Sequence, residues 1–219
     1  MLHEFREFAD AESLASAAAD VITDLGRRRI GEHGVFNLAV SGGRTPSTML
    51  RDLAQRDLDW ACVRVFQVDE RIAAPGGPER NLTALRDAMT DTAPTIMAMP
   101  VNDVDLEAAA ERYASMLPAR FDLVHLGLGP DGHTASLVPG DPDLEVTDRL
   151  VAISGPYQGT RRMTLTYRAL ARADEILWLV SGADKRVALA QLRSGDVTIP
   201  AGRVEAARSL IMADRSASA

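Results

Sequence analysis

Short apolar runs alternate with segments of helical periodicity along most of this chain. The runs Val35–Val40, Val63–Val68 and Phe121–Leu128 are rich in branched or aromatic residues, as expected of strands buried on both faces of a sheet. Strands that alternate with helices form a mostly parallel sheet, so the pattern predicts an α/β fold. Further strands are predicted at Thr95–Pro100, Leu150–Gly155, Arg161–Tyr167, Glu175–Gly182 and Arg208–Asp214, the second and third of these being joined by a turn around Gly155–Gly159.

The segments between these runs carry apolar residues at helical spacing. The first, from Asp10 to about Gly31, is long and rich in alanine and leucine. A second begins at Pro46, with Thr45 as its expected N-cap, and continues to about Gln55. Repeats, low-complexity segments and linkers are absent from the sequence, so we expect one domain across residues 1–219. The remaining helices are predicted at Asn81–Met89, Asp105–Leu117 and Asp184–Leu192.

Composition narrows the range of partners. The net charge of -7 and the pI near 5.1 argue against nucleic acid and anionic membrane surfaces, while local basic pockets for a small anion stay open. The single cysteine, Cys62, excludes an internal disulfide framework. The N-terminal segment lacks the apolar core of a signal peptide, and no apolar run approaches the ~18 residues of a membrane span. We therefore expect a cytoplasmic protein.

Ligands of parallel sheets bind in the loops after the strands, and the loop Ser41-Gly42-Gly43-Arg44-Thr45 has the composition of an anion site. Its two glycines allow the backbone to approach an anion, and the helix that follows offers unpaired N–H groups. Two hydroxyls and a guanidinium add polar contacts. An ordinary strand-to-helix turn is the alternative, and the lysine and spacing of a P-loop are absent.

Charged residues mark other strand ends. Asp69, Glu70 and Arg71 directly follow a predicted strand, and Arg71 is suited to a bidentate contact with a carboxylate, a phosphate or an oxyanion. Structural ion pairing at the strand exit is the alternative. Lys185 lies near a predicted helix start, where a cation is unfavourable unless an anion binds beside it. Arg162, at the start of a predicted strand, is a further candidate, with a solvated basic residue as its alternative.

The stretch GLGPDGHTASLVPG at residues 127–140 begins with the dinucleotide-binding pattern G-x-G-x-x-G. A dinucleotide site needs a long helix directly after the third glycine, whereas here a Pro-Gly pair follows within a few residues. The cofactor interpretation fails, and no cofactor is predicted. What remains is a tight turn through Gly132 that places His133 beyond a strand end, two residues from Asp131. A neutral imidazole can accept a proton from water, and the carboxylate could fix its tautomer.

The other histidines, the cysteine and the serines of the sequence do not form a recognisable catalytic or metal-binding motif. His3, His33 and His125 are predicted to be structural, and His125 lies within a strand. One cysteine and four scattered histidines give no usual metal-ligand spacing, so no metal site is predicted. No serine stands in a G-x-S-x-G elbow.

Six stretches together resemble the 6-phosphogluconolactonase family: LAVSGGRTP, FQVDER, ERNLTALRDAM, FDLVHLGLGPDGHTASLVPG, RRMTLTYRAL and LVSGADKRVAL. They span residues 38 to about 190, most of the chain. The resemblance implies a Rossmann-like α/β fold with a mostly parallel sheet flanked by helices and a small accessory part. Sugar-phosphate isomerases and amino-sugar-phosphate deaminases are similar to this family in fold. The implied reaction is metal-free hydrolysis of 6-phospho-D-glucono-1,5-lactone, a phosphosugar lactone, to 6-phosphogluconate in the oxidative pentose phosphate pathway.

The resemblance also implies residue roles. His133 would be the general base that activates water against the lactone carbonyl, with Asp131 beside it in the pocket. Arg71 and Lys185 would supply positive charge for the phosphate or the oxyanion, and Arg162 would assist them. The other matched positions would line the substrate pocket, namely Ser41, Gly42, Gly43, Arg44, Thr45, Asp69, Asn81 and Gly132.

Arg80 departs from the family pattern, which has a serine before the asparagine retained here as Asn81. Of the two orientations open to Arg80, towards solvent or towards the phosphate, we expect the first. A deaminase or isomerase is the alternative function, but it would carry Asp-Glu-Tyr at residues 69–71 and an acidic residue shortly after His133. A phosphosugar-sensing module would normally be joined to a DNA-binding segment, and none is recognisable in this sequence.

Overall fold

Residues 3–219 are described by a computed structural model, in which strands and helices alternate along the chain. The strands are β1 (Glu4–Phe8), β2 (Phe36–Val40), β3 (Val63–Gln67), β4 (Asp69–Arg71), β5 (Thr95–Met97), β6 (Phe121–Gly127), β7 (Val151–Ile153), β8 (Arg162–Leu165), β9 (Ala173–Val180) and β10 (Arg208–Asp214). The α-helices are α1 (Ala11–His33), α2 (Arg44–Ala54), α3 (Asn81–Ala88), α4 (Leu106–Met116), α5 (Tyr167–Leu170), α6 (Arg186–Ser194) and α7 (Arg215–Ser218). None of these helices has the length and hydrophobicity that crossing a bilayer requires.

Seven strands form one parallel sheet in the order β1-β10-β9-β6-β2-β3-β5, which confirms the predicted α/β fold. From β2 the chain continues outward through β3 to β5. It then returns to the other side of β2 and continues through β6 and β9 to β10. The direction of winding therefore reverses between β2 and β6. A crevice at the carboxyl ends of the strands is expected at such a switch point.

Helices cover both faces of the parallel sheet. Leu38 of β2 packs in a core with α1, α2 and α3, whereas its neighbour Ala39 belongs to a core shared with α4 and α6. In β6, Leu123 likewise belongs to the core with α1, α2 and α3, and Val124 belongs to the core with α4 and α6. Successive side chains of a strand point to opposite faces, so a strand covered on both sides needs apolar residues throughout. This is why the sequence shows continuous apolar runs.

A second sheet, antiparallel and in the order β4-β8-β7, forms the small accessory part. Val68 joins the two sheets. Its N–H donates to the carbonyl of Val40 in the parallel sheet at 3.0 Å, and its carbonyl accepts from the N–H of Leu165 in the small sheet at 2.8 Å. Asp69–Arg71 follow β3 as predicted, but they also form a strand of their own, β4, because a partner strand from far along the chain pairs with them.

The N-terminal region differs from expectation at both ends of α1. Strand β1 is not predicted from the sequence because charged residues interrupt its pattern. Charged residues are tolerated in a strand at the edge of a sheet, and β1 lies at the edge, paired with β10. The long helix is confirmed, with Asp10 accepting the N–H of Ser13 at 2.8 Å as its N-cap. It continues past Gly31 to His33 and ends at Gly34 in the left-handed conformation.

Candidate active site

A polar cavity of about 290 Å³ opens at the switch point between β2 and β6. The loops after β2, β6 and β9 line it, together with β4 and the turn between β7 and β8. Two of the predicted site residues, Asp131 and Gly132, do not line it. Those that do are Ser41, Gly42, Gly43, Arg44, Thr45, Asp69, Arg71, Asn81, His133, Arg162 and Lys185.

His133 and Asp131 form a hydrogen-bonded pair at the cavity. Nδ1 of His133 lies 2.6 Å from Oδ1 of Asp131, and the same oxygen accepts the backbone N–H of His133 at 3.1 Å. Partial burial acts to raise the pKa of Asp131, but the hydrogen bonds from His133 outweigh this effect and hold that pKa below its usual value. Asp131 is therefore ionised at neutral pH, and its Oδ1 is placed to accept a proton carried on Nδ1 of His133. In the tautomer with that proton on Nδ1, Nε2 is the basic nitrogen of the imidazole.

Glycines make the turn from Gly129 to His133 possible. A Cβ atom at Gly129 would lie 2.0 Å from Nδ1 of His133. Gly132 has a φ of 82°, a left-handed conformation that side chains disfavour. Its carbonyl accepts the N–H of Ala201 at 2.9 Å, and a Cβ atom there would lie 2.5 Å from Cβ of Ile199. Gly132 therefore anchors the turn to a neighbouring segment.

The loop after β2 brings the N-terminus of α2 to the cavity. The helix begins at Arg44 and Gly43 is its N-cap, so the prediction that Thr45 caps the helix is wrong. The reason is that φ at residue 43 is 131°, which glycine alone adopts readily, and the helix starts directly after it. No side chain of residues 3–219 caps the helix, and the N–H groups of its first turn are available to an anion. Gly42 contacts Asn81 so closely that a Cβ atom would lie 2.0 Å from the Oδ1 atom of Asn81.

Asp69 and Asn81 hold each other in place at the cavity. Nδ2 of Asn81 donates to the carbonyl and to Oδ1 of Asp69, at 2.9 and 3.1 Å. Ser136 donates to the other carboxylate oxygen of Asp69 at 2.6 Å. Burial raises the pKa of Asp69, although the hydrogen bond from Ser136 and the guanidinium of Arg162 oppose the shift. Both residues therefore present fixed polar groups to the cavity.

Glu70 is fully buried and organises the start of α3. Its carboxylate accepts the backbone N–H groups of Arg71, Asn81 and Leu82 at 2.7, 2.9 and 2.8 Å. Two of these N–H groups belong to the first turn of α3, where a negative charge is favourable. Nε of Arg80 lies 3.2 Å from Oε2 of Glu70. One buried carboxylate thus fixes the backbone of two residues that line the cavity.

Arg80 does not point to solvent, so the expectation from the sequence is wrong. Only 4% of Arg80 is exposed, and besides pairing with Glu70 it donates to the carbonyl of Ala73 and to Oδ1 of Asn102, at 3.1 and 2.9 Å. A fully buried carboxylate is costly unless a cation compensates it, and Arg80 supplies that cation. Of the three charged residues after β3, Glu70 therefore forms the structural ion pair that the sequence analysis gave as the alternative. Its neighbours Asp69 and Arg71 line the cavity instead.

Two of the cations at the cavity, Arg71 and Arg162, lie directly opposite each other on β4 and β8. Arg71 donates to the carbonyl of Glu79. The guanidinium of Arg162 stacks over the ring of Tyr157, 4.9 Å from its centroid. Burial lowers the pKa of Arg162. Within residues 3–219 its buried Nε has no hydrogen-bond partner.

The other two cations, Arg44 and Lys185, lie on the parallel sheet side, at the start of α2 and after β9. Nζ of Lys185 is 3.0 Å from Oδ2 of Asp184. The hydrogen bond from Lys185 and, more weakly, the charge of Arg44 lower the pKa of Asp184, so both cations are near one carboxylate. Lys185 is the only lysine in the sequence.

Sequence reasoning missed Tyr157 and Gln158, which line the cavity from the turn between β7 and β8. The hydroxyl of Tyr157 donates to Oδ2 of Asp131 at 3.2 Å, and its ring packs edge-on against the ring of His133. Gln158 adopts a φ of 50°, which is uncommon for a residue with a side chain. The available signal was an aromatic residue in the Gly- and Pro-rich turn at residues 155–159.

The other histidines have structural environments. His125 is fully buried in β6, where burial lowers its pKa to about 4, and Nδ1 accepts the N–H of Ser41 at 3.3 Å. It is therefore neutral and links β6 to β2 at the switch point. Nδ1 of His3 lies 2.7 Å from Oγ of Ser209, and His33 is exposed at the end of α1.

The fold and the cavity together are those of an α/β protein with a candidate substrate site at the switch point of a parallel sheet. The site combines an imidazole–carboxylate pair with cations suited to an anionic substrate. The chain belongs to the family described as glucosamine-6-phosphate isomerases/6-phosphogluconolactonase, which matches residues 9–212.

Known relatives confirm the resemblance that the sequence motifs indicate. The 6-phosphogluconolactonase of Nostoc sp. is 36% identical over 197 residues, which cover 84% of this chain and 82% of that protein. The 6-phosphogluconolactonase of Synechocystis sp. is 38% identical over 180 residues, covering 75% of this chain and 74% of that protein. Among solved structures, the crystal structure of a 6-phosphogluconolactonase from Shewanella baltica matches with a TM-score of 0.87 at 25% identity, over 97% of each chain.

Proposed function

We propose that this chain hydrolyses 6-phospho-D-glucono-1,5-lactone to 6-phosphogluconate in the oxidative pentose phosphate pathway. The names of its relatives support the reaction. One observation carries the proposal: Asp131 binds His133 through Nδ1, and His133 lines a cavity together with four cations. Hydrolysis of a phosphorylated lactone needs a base for water, donors for an oxyanion and cations for the phosphate. The cavity contains residues suited to each task.

In the proposed reaction, Nε2 of His133 removes a proton from water, and the water oxygen forms a bond to the carbonyl carbon of the lactone. The carbonyl electron pair moves to its oxygen, which gives a tetrahedral oxyanion. When the carbonyl forms again, the bond from carbon to the ring oxygen breaks, and the imidazolium returns its proton to that oxygen. Asp131 stabilises the imidazolium throughout. These steps use side chains and water, without a metal ion.

We assign the two pairs of cations to opposite ends of the substrate. Arg44 is the first residue of α2 and Lys185 lines the same cavity, and two cations with a helix N-terminus favour a phosphate dianion. Arg162 stacks on Tyr157, which contacts the Asp131–His133 pair, so the cations of the small sheet lie on the side of the base. These cations would stabilise the oxyanion, where a well-placed donor contributes about 3–4 kcal/mol.

The isomerase activity in the family description is the alternative, and deamination of an amino-sugar phosphate belongs with it. Moving protons between carbon atoms requires a further acid–base group. Among the described residues that line the cavity, Asp69 is the only carboxylate, and both of its oxygens accept hydrogen bonds from Asn81 or Ser136. A sensing module, in turn, would not need the Asp131–His133 pair. Hydrolysis is therefore the function that the site supports best.

The test of this proposal offers both kinds of substrate to the wild-type chain. Acid release from freshly prepared 6-phosphogluconolactone is followed at constant pH, and ammonia release is followed from glucosamine 6-phosphate. We expect acid release far above the spontaneous rate and no ammonia. Ammonia without accelerated lactone hydrolysis would assign the chain to the deaminases instead. Binding of phosphosugars with no turnover would indicate a sensing module.

Replacing Lys185 by alanine should raise KM for the phospholactone by about 10–100-fold and change kcat much less, because a charge-assisted hydrogen bond is worth about 1.5–3 kcal/mol. Steady-state kinetics measure the two constants separately. Lys185→Arg keeps the charge and is the matched control. Lys185 carries the only ε-amino group, so acylation measured on the Lys185-containing peptide, apart from the N-terminal α-amine, reports on it, and 6-phosphogluconate should reduce that acylation. An unchanged KM for Lys185→Ala would remove this residue from the phosphate site.

A further inference from the structure

Tyr157 contacts both members of the Asp131–His133 pair. Its hydroxyl donates to Oδ2 of Asp131 at 3.2 Å and lies 3.4 Å from Nδ1 of His133. The other oxygen of Asp131, Oδ1, is occupied by the backbone N–H and Nδ1 of His133. Both carboxylate oxygens are therefore engaged, and the carboxylate cannot rotate without losing a hydrogen bond. Burial and the charge of Asp131 raise the pKa of Tyr157, so its hydroxyl keeps the proton that it donates.

The ring of Tyr157 makes two further contacts. Its centroid lies 5.3 Å from that of the His133 ring with the planes at 65°, an edge-to-face arrangement that limits rotation of the imidazole. The guanidinium of Arg162 stacks over the same ring at 4.9 Å. One side chain thus contacts the proposed base, its carboxylate and a cation at the cavity.

The turn that carries Tyr157 has a fixed geometry. Tyr157 and Thr160 exchange two backbone hydrogen bonds, at 3.0 and 3.3 Å. The two residues between them, Gln158 and Gly159, both have positive φ, at 50° and 83°. This is the tight hairpin turn whose twist matches that of the flanking strands. Tyr157 is therefore held by its backbone as well as by its contacts.

We propose that Tyr157 is a positioning residue for the hydrolysis proposed above, on which this inference rests. Its hydroxyl locks the orientation of Asp131, so that His133 carries its proton on Nδ1 and keeps Nε2 as the base. Its ring orients Arg162 towards the lactone carbonyl. If Tyr157 had only a structural role, its substitution would affect stability. It would not move the proton between the ring nitrogens of His133, and it would not lower kcat while KM stays the same.

The experiment compares Tyr157→Phe, which loses only the hydroxyl, with Tyr157→Leu, which also loses the aromatic ring. Tyr167→Phe is the matched control, because the hydroxyl of Tyr167 donates to the carbonyl of Pro200 at 2.9 Å and Tyr167 does not line the cavity. Three quantities are measured for each variant: kcat and KM for 6-phosphogluconolactone, the thermal midpoint, and the ¹⁵N chemical shifts of the His133 ring at alkaline pH. The ring shifts show which nitrogen carries the proton, whether or not the chain hydrolyses a lactone.

We expect Tyr157→Phe to lower kcat about 10-fold with KM within about twofold, since a hydrogen bond to a charged group is worth more than 1 kcal/mol. The ¹⁵N shifts should show that a larger fraction of His133 is protonated on Nε2 in this variant than in the wild type. Tyr157→Leu should lower kcat about tenfold further, because an aromatic contact and a cation–π contact each contribute about 1 kcal/mol. Tyr167→Phe should match the wild type in kinetics and ring shifts.

Wild-type ring shifts in Tyr157→Phe would overturn the inference, and so would a loss of kcat that only follows a lower thermal midpoint. Failure of the wild-type chain to hydrolyse the lactone would overturn the proposed function instead. In that case the ring shifts would still decide whether Tyr157 orients the pair.

Discussion

His133→Ala is expected to lower kcat for 6-phosphogluconolactone by about 10²–10⁴-fold while KM stays close to that of the wild type. The substitution removes the proposed base and leaves intact the cations and helix N-terminus that we assign to the phosphate. Acid release at constant pH, corrected for spontaneous hydrolysis, measures the loss. Asp131→Asn should also lower kcat, because an amide can donate to Nδ1 and so favour the tautomer that lacks a base at Nε2.

The control for this prediction is His33→Ala. His33 is exposed at the end of α1, so its removal should leave both kinetic constants unchanged. Near-normal kcat in His133→Ala would show that another group activates the water. A rise in KM with kcat preserved would instead make His133 a binding residue.

Arg80→Ala is expected to lower the free energy of unfolding by about 3–5 kcal/mol, the usual cost of leaving one member of a buried ion pair without its partner. Glu70 is fully buried, and Arg80 is the cation beside it. A typical domain is stable by only about 5–15 kcal/mol, so the loss is a large share of the total. Urea denaturation measures the change. Because Glu70 also accepts the N–H groups of Arg71 and Asn81, kcat/KM should fall as well.

Arg86→Ala is the matched control, because Arg86 is an exposed arginine of α3, the helix that follows directly after Arg80. Its removal should change the free energy of unfolding by less than about 0.5 kcal/mol. Equal stability of Arg80→Ala and Arg86→Ala would contradict the role given to Arg80. It would mean that the Glu70 carboxylate is compensated by its other donors alone, the backbone N–H groups and Nε2 of Gln67.

The parallel sheet and much of the candidate site are predictable from local sequence. Strands covered on both faces must be apolar throughout, and each such run can be recognised from its own residues without knowledge of its neighbours in the sheet. The cavity lies at strand ends, where local turn chemistry is also visible. Gly43 permits the start of α2, and Gly129 leaves room for His133. For this reason the loops after β2 and β6 are both predicted as candidate site loops.

The features that sequence reasoning missed depend on contacts between distant segments. Strand β4 exists because β8 pairs with it, and nothing near residues 69–71 indicates that pairing. Arg80 is buried because Glu70 is buried, and a charged residue at a strand end is normally expected at the surface. Tyr157 reaches the Asp131–His133 pair only because the small sheet folds over the crevice. The roles of these residues can be recognised only from the three-dimensional structure.

The central claim is that this cavity hydrolyses a lactone that it recognises by its phosphate. The most direct test compares kcat/KM of the wild-type chain for 6-phosphogluconolactone and for unphosphorylated gluconolactone, in the same buffer and with spontaneous hydrolysis subtracted. We expect the phosphorylated lactone to exceed the other by at least about 10²-fold, because two or more charge-assisted hydrogen bonds are lost with the phosphate. Equal values for the two lactones, or no acceleration of either above the spontaneous rate, would contradict the account.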